Sequence, residues 1–162
     1  PCPLINAQPI STTACASSTA MFTATAEIGS TYQWQWQPAG AGTAWANLAA
    51  GDNAEVGGEP VVNAANVGTA TLEARPLAGY INFPPRALRC VVTNACGSAS
   101  SDAAVLTVCI GDYNCDEGVD GDDVIAFFGA WDASDSAGDV NHDGGVDGDD
   151  VIVFFGAWDA GC

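Results

Sequence analysis

Two acidic blocks near the end of this 162-residue chain combine the residue types and the spacing that bind metal ions. The first runs Asp112-Tyr-Asn-Cys-Asp-Glu-Gly-Val-Asp-Gly-Asp-Asp123, and the second, 27 residues later, runs Asp139-Val-Asn-His-Asp-Gly-Gly-Val-Asp-Gly-Asp-Asp150. Each block places oxygen-bearing side chains at positions 1, 3, 5, 9 and 12 of a twelve-residue loop. A loop wraps calcium with this spacing, so the sequence predicts two Ca²⁺ sites.

The predicted ligands follow from the positions in each loop. Positions 1, 3 and 5 supply side-chain oxygens, position 7 its main-chain carbonyl, position 9 binds through water, and position 12 closes the site. The two ligand sets are Asp112, Asn114, Asp116, Gly118, Asp120 and Asp123, then Asp139, Asn141, Asp143, Gly145, Asp147 and Asp150. Position 6 often has a positive φ, and the first loop has Glu117 there instead of glycine. We therefore expect the first site to be weaker or slightly distorted.

The same apolar segment follows each loop. From Gly118 and from Gly145, 15 of 16 residues are identical. Asp120 and Asp147 can each cap a helix, after which apolar residues recur at i, i+3, i+4 and i+7. These stripes are Val124, Phe127, Phe128 and Trp131, and Val151, Phe154, Phe155 and Trp158. We expect two helices with the rings between them as a core; the alternative leaves Ile125, Ile152 and one ring per copy exposed.

A calcium loop followed by its exit helix only, used twice, resembles the dockerin type I repeat. The pattern Gly-Asp-x-Asn-x-Asp-Gly-x-Val-Asp-x-x-Asp is almost verbatim in residues 138–150. The resemblance implies a small α-helical module that docks on a cohesin-like protein. Positions 10 and 11, Gly121-Asp122 and Gly148-Asp149, differ from the Ser/Thr-type pairs with which cellulosomal dockerins recognise cohesin. The resemblance therefore supports the calcium module and leaves its partner open.

Residues 1–109 are predicted to be β-structure, because short β-prone runs alternate with Gly, Ser, Thr and Asn. In Thr31–Gln37 aromatic residues alternate strictly with Thr and Gln. Trp34 is expected in the core, whereas Trp36 and Trp45 either cover a sheet end or form a sugar-stacking platform. The other runs are Met21–Ala26, Thr69–Ala74, Leu88–Thr93 and Ala103–Val108. Several short strands over this length indicate a β-sandwich.

Two strand motifs carry a second resemblance. Tyr32-Gln-Trp34 followed by Leu88-x-Cys90-x-Val92-x-Asn94 resembles the C and F strands of an immunoglobulin-like domain of the kind found in bacterial secreted proteins. This implies a mainly β chain, with an immunoglobulin-like β-sandwich and N-terminal extension in residues 1–109 and the dockerin-like module in residues 110–162. The B-strand position that would pair with Cys90 falls near Ala24, so the usual inter-sheet disulfide is not expected.

Seven cysteines in a small acidic chain indicate disulfides and an oxidising compartment, which predicts a secreted or cell-surface protein. In the two-module arrangement, Cys2 could meet Cys109, Cys15 could meet Cys96, and Cys115 could meet Cys162. Cys90 is then left over. We expect it to be a buried free thiol, with an intermolecular disulfide as the alternative.

The charge distribution limits the partners. The formal charge is −17, there is no lysine, and 14 of the 20 acidic residues lie in residues 111–162. This composition argues against nucleic acid and anionic membranes, which need a positive surface, and no apolar run is long enough to insert in a membrane. His142 is the one histidine. Without lysine or a second histidine a nucleophile and its base are hard to assemble, so an enzyme is not expected.

These observations predict a secreted structural protein stabilised by calcium. We expect a homo-oligomer or polymer, as a subunit of an extracellular fibre or surface layer that forms through homotypic contacts. The alternative is a docking module or adhesin that binds a cohesin-like protein or a glycan. Because extracellular calcium is steady, the metal is expected to be structural and not a signal.

Overall fold

The computed structural model describes residues 2–15, 18–37, 44–54, 60–76, 85–141 and 143–161. Strands precede helices along the chain. The strands are β1 (Ile5–Ala7), β2 (Thr12–Cys15), β3 (Ala20–Thr23), β4 (Thr25–Ala26), β5 (Thr31–Gln37), β6 (Ala46–Asn47), β7 (Gly51–Ala54), β8 (Pro60–Ala65), β9 (Thr71–Pro76), β10 (Arg86–Asn94), β11 (Gly97–Ser100) and β12 (Ala104–Cys109). The helices are α1 (Gly121–Asp132) and α2 (Gly148–Ala160), with a 3₁₀ turn at Ser136–Gly138 between them.

The strands form two main sheets and a small ribbon of β1 and β4. One sheet has the order β2-β12-β10-β5-β6, with β11 also paired to β10, and the other has the order β3-β9-β8-β7. Strand β10 thus lies between β5 and β12, and β9 lies between β3 and β8. The F and E strands of an immunoglobulin sandwich have these neighbours. The predicted immunoglobulin-like β-sandwich is therefore confirmed by the strand order.

The alternation in β5 decides which aromatic residues enter the core. Strand β5 pairs antiparallel with β10, with Trp34 opposite Cys90. Trp34 is fully buried, and its indole N–H donates to the Thr69 carbonyl at 2.9 Å. Trp36 points to the same face and is only 4% exposed. Trp34 is thus a core residue as predicted, and the alternative of a sugar-stacking platform that includes Trp36 is wrong, because its ring is not accessible.

The contacts of the chain divide it into two compact units. The first comprises residues 1–12, 19–75 and 84–107, and the second comprises residues 13–18, 76–83 and 108–162. The second unit therefore includes a short segment from near the N-terminus as well as both helices. In the described part of the chain, neither helix has the length and apolar character that a membrane crossing requires.

The disulfides join other partners than those predicted. Cys2 is bonded to Cys96, and Cys15 is bonded to Cys115. The predicted pairs Cys2–Cys109, Cys15–Cys96 and Cys115–Cys162 are therefore wrong. Cys109 is also disulfide-bonded, and Cys162 lies outside the described residues.

The direction of the N-terminal segment explains the first of these corrections. One disulfide and two hydrogen bonds share a separation of 94 residues: Cys2 with Cys96, Gln8 with Asp102, and Ser11 with Val105. The segment therefore runs in the same direction as the β11–β12 edge beside it. This direction brings Cys2 to the turn before β11, whereas the predicted pair required it to meet the far end of β12.

Cys90 is a buried free thiol, as predicted. Its side chain is fully buried, and Ala24, the residue at the B-strand position, is fully buried without offering a sulfur atom. Burial raises the pKa of the Cys90 thiol from 9.0 to about 11, and a hydrogen bond with the Gln33 backbone opposes the rise. The thiol is therefore neutral at physiological pH.

We expect this thiol to resist alkylation in the native protein at pH 8 and to react once the chain is denatured. The pKa difference also gives the sign of a pH effect. Because the pKa of Cys90 is higher in the folded state, the folded protein favours the neutral thiol. This contribution to the free energy of unfolding is fully present below pH 9, where the thiol is neutral in both states, and is lost as the pH rises from 9 towards 11. The loss amounts to about 3 kcal/mol at most. Urea denaturation of Cys90→Ala and the parent at pH 8 and 10.5 tests this; an identical pH dependence would contradict it.

Candidate metal centre

Each acidic loop ends in the cap of a helix. Asp120 caps α1 and Asp147 caps α2, and each side chain accepts a hydrogen bond from the N–H two residues later at 2.9 Å. Asp123 accepts from the N–H of Asp120, and Asp150 accepts from the N–H of Asp147, both at 2.8 Å. These reciprocal capping boxes confirm the predicted starts of both helices.

The closing residues of the loops, Asp123 and Asp150, are fully buried. The second oxygen of Asp123 accepts from the N–H of Asn114, and that of Asp150 accepts from the N–H of Asn141, both at 3.0 Å. Each carboxylate thus fastens positions 3 and 9 of its loop to the first turn of the helix. A buried charge is costly unless it is compensated, and a cation bound near these two carboxylates would compensate them.

The first residue of each loop fastens position 6. The Oδ2 atom of Asp112 accepts from the N–H of Glu117 at 3.2 Å, and that of Asp139 accepts from the N–H of Gly144 at 3.1 Å. The backbone at position 6 is left-handed in both loops, with φ of 72° at Glu117 and 94° at Gly144. Glu117 therefore adopts the conformation expected at this position, at a cost of about 1–2 kcal/mol for a residue with a side chain.

Positions 3 and 5 fold onto their own loop. The side-chain oxygen of Asn114 accepts from the N–H of Asp116 at 2.9 Å, and that of Asn141 accepts from the N–H of Asp143 at 2.8 Å. The N–H of position 7 donates to the position 5 carboxylate at 3.0 and 2.9 Å. The structure thus brings the predicted ligands of each copy into one hydrogen-bonded loop with the same pattern.

The two loops differ in one polar atom. The Oδ1 atom of Asp112 accepts from the N–H of Asp116 at 3.0 Å, whereas the Oδ1 atom of Asp139 is buried without a hydrogen-bond partner. A buried carboxylate oxygen without a donor is a position that a cation can satisfy. The second loop therefore fits a bound cation on the evidence of its own geometry.

The carboxylates themselves are not gathered at one point. Among the described residues, no group of three or more His, Cys, Asp or Glu side chains is placed to hold a metal ion. A calcium loop takes only part of its ligands from carboxylates, and the rest are amide oxygens, main-chain carbonyls and water. The described residues of the loops thus bring the predicted ligands together as a hydrogen-bonded set and not as a carboxylate cluster.

The helices pack through their aromatic stripes. Phe127 and Phe154 are fully buried and stack at 4.3 Å between centroids with an angle of 8°. Tyr113 contacts both rings edge-on, and Val140 from the second loop completes the buried cluster. Phe128, Phe155, Trp131 and Trp158 pack around it. The predicted aromatic core is confirmed.

Tyr113 also links the loops by a hydrogen bond. It occupies position 2 of the first loop and donates its hydroxyl to the carbonyl of Ala137 at 2.9 Å. Burial, and to a smaller extent the charge of Asp135, raises the pKa of Tyr113. The phenol therefore stays neutral, so it remains a donor to the residues before the second loop.

Two equivalent hydrogen bonds join each helix to the opposite loop. The indole N–H of Trp131 on α1 donates to the Asp147 carbonyl at 2.7 Å, and that of Trp158 on α2 donates to the Asp120 carbonyl at 2.8 Å. Glycine before each loop allows a close approach: a β-carbon on Gly138 would lie 3.0 Å from the Trp131 backbone, and one on Gly111 would lie 3.0 Å from the Ala157 carbonyl oxygen. Each helix thus supports the other loop, which explains why the two copies fold together.

The predicted alternative of an exposed face holds only for the isoleucines. Ile125 is 72% exposed and Ile152 is 71% exposed, at equivalent positions of the two helices. The six stripe aromatics pack in or against the buried cluster. The surface of this unit therefore presents two matched aliphatic side chains.

Sequence reasoning missed one feature of the first loop. Cys115, at position 4, is bonded to Cys15, which is almost fully buried at the end of β2. Nothing in the spacing of the cysteines distinguishes this pair from others. It depends on residues 13–18 packing in the second unit.

Comparisons with known proteins leave the family of this chain open. No protein-family model matches it, and no curated protein matches it. Among solved structures it is similar to titin M4, with 20% identity, a TM-score of 0.43 and coverage of 66% of this chain and 95% of that chain. It is also similar to the I-band fragment I67–I69 of titin, with 15% identity, a TM-score of 0.41 and coverage of 67% and 32%. The fold assignment therefore depends on the strand order described above.

Proposed function

We propose that the second unit is built around two calcium ions and that the protein is a secreted, non-catalytic structural subunit of an extracellular assembly. The observation that carries the proposal is the pair of fully buried carboxylates, Asp123 and Asp150, at the same position of two matched loops. Neither lysine nor arginine occurs in residues 111–162. A divalent cation is therefore the compensating charge that suits these loops best.

The residues that would hold calcium are those of the loop pattern. They are Asp112, Asn114, Asp116, Gly118, Asp120 and Asp123 in the first loop, and Asp139, Asn141, Asp143, Gly145, Asp147 and Asp150 in the second. Bound calcium supplies positive charge that offsets the repulsion among the carboxylates of each loop. Because Asp120 and Asp147 also cap the helices, calcium binding and folding of this unit should be linked.

Removing calcium is expected to lower the melting temperature of the second unit. Each site filled at a hundred times its dissociation constant contributes about 2.7 kcal/mol to the folded state. Calorimetric melts in millimolar calcium and in excess chelator measure the effect, and a calcium titration should give two sites. Magnesium at the same concentration controls for ionic strength. A melting curve that is the same in calcium and in chelator would refute the proposed role.

Assembly through homotypic contacts is supported by the exposed isoleucines. Burial of these two side chains against a second copy would be favourable, and bound calcium would reduce the charge of −17 that separates copies. We expect Ile125→Glu with Ile152→Glu to prevent association in sedimentation velocity and negative-stain microscopy with calcium. Ile28→Glu is the matched control, because Ile28 is fully exposed in the first unit. Parent protein that stays monomeric at high concentration would argue against assembly.

A docking module is the second candidate. The same matched isoleucines would serve a different protein equally well, as the resemblance to dockerins implies. A pull-down from the native cell surface separates the two candidates. Capture of a distinct protein that the isoleucine variants lose favours docking, and recovery of this chain alone favours self-assembly.

A further inference from the structure

We infer that the Cys15–Cys115 disulfide is a positioning device for the first calcium loop: it holds that loop in its metal-binding conformation before the ion arrives. The disulfide thereby offsets the absence of glycine at position 6. This inference rests on the proposed calcium function. It concerns how strongly each loop is held in its metal-binding conformation before calcium binds.

The first loop has an unfavourable backbone at two positions. Cys115 has φ 64° and Glu117 has φ 72°, and both lie in the left-handed region although neither is glycine. In the described part of the second loop, the positive φ falls on Gly144. A chain free to relax would leave the left-handed region at residues with a β-carbon. At position 6 the first loop therefore carries a backbone cost that the second loop avoids with glycine.

The disulfide supplies a constraint at the right place. It joins position 4 of the loop to Cys15, which is 7% exposed, and both residues belong to the second unit. The Cα atoms are 5.6 Å apart. A covalent link to a buried residue limits the conformations that the metal-free loop can adopt. Calcium binding then loses less conformational entropy, because part of the loop is already ordered.

The polar atoms of the loops show the same inequality. Both oxygens of Asp112 accept main-chain N–H groups, from Asp116 and Glu117. In the second loop the Oδ1 atom of Asp139 is buried without a partner. The first loop is therefore closed by its own backbone and by the disulfide, whereas the second loop depends on the cation to satisfy its first ligand.

A general stabilising role for the disulfide predicts a different result. If it only stabilised the second unit, its loss would weaken both calcium sites equally, because the helices couple the two loops. If it positions the first loop, its loss weakens the first site selectively. The amide signals of Glu117 and Gly144 in a calcium titration by NMR report the two sites separately.

The variant Cys15→Ser with Cys115→Ser is therefore compared with Cys2→Ser with Cys96→Ser, which removes the disulfide of the first unit. We expect the first variant to lose roughly tenfold in affinity at the first site, the cost of ordering about one backbone residue, with less than about a twofold change at the second site. The control variant should keep both affinities. Equal losses at both sites, or no loss at either, would overturn the inference, whereas a parent protein that binds no calcium would instead refute the proposed function.

One further measurement does not depend on the disulfide variant folding well, and one added substitution tests the link to Glu117. In the parent protein with chelator, the Glu117 amide should be more strongly protected from solvent exchange than the Gly144 amide, each relative to its intrinsic rate. Equal or reversed protection would overturn the inference. Adding Glu117→Gly to the cysteine variant should recover most of the lost affinity at the first site. An unchanged affinity after this substitution would show that the disulfide does not offset Glu117.

Discussion

Replacing Asp150 by asparagine is expected to lower the calcium affinity of the second loop by at least about a hundredfold. Groups that only orient metal ligands already contribute 10–100-fold, and Asp150 is the predicted closing ligand itself. Its carboxylate accepts two main-chain hydrogen bonds, from Asn141 and Asp147, and is fully buried. An amide can accept at one end only, so one of these N–H groups would face an NH₂ group.

The stability of the Asp150→Asn variant should depend on the metal. In chelator, the lost hydrogen bond costs about 1–3 kcal/mol, but the relief of a buried charge offsets it, so the melting temperature should change little. In calcium, the parent gains stability that the variant does not gain. Asp149→Asn is the matched control, because Asp149 is the neighbour of Asp150, carries the same charge and is exposed. Equal calcium-induced shifts in Asp150→Asn and Asp149→Asn would contradict the proposed site.

Replacing Phe154 by alanine is expected to destabilise the second unit by about 3–5 kcal/mol. The ring is fully buried, stacks on Phe127 at 4.3 Å and meets the edge of Tyr113. Its removal leaves a cavity between two helices that the neighbouring rings cannot fill without moving. The capping residues Asp120 and Asp147 belong both to the loops and to the helices. Destabilising the helices should therefore lower the apparent calcium affinity of both sites.

Ile152→Ala is the matched control for this variant. It lies two residues earlier on α2 and is 71% exposed, so its unfolding free energy should change by no more than about 0.5 kcal/mol. Chemical denaturation in saturating calcium measures both. If the two substitutions have equal effects, the ring stack is not the core of this unit.

Local patterns carried most of the correct predictions. The capping aspartates and the i, i+3, i+4, i+7 stripe involve residues that interact within one loop or one helix. The alternation of Thr31–Gln37 predicted strand β5 and its buried tryptophan in the same way. Strand β7 escaped prediction, because its buried residue is Asn53, which gives no apolar signal.

The amino-acid sequence by itself determined two acidic loops with their exit helices, a β-sandwich before them, and a cysteine without a partner at the B strand. Only the tertiary structure decided which cysteines are bonded, that Trp36 is buried with Trp34, and that Cys115 anchors the first loop to Cys15. The physical reason is separation along the chain: residues 94 or 100 positions apart meet according to the direction and packing of whole segments, which no local pattern encodes.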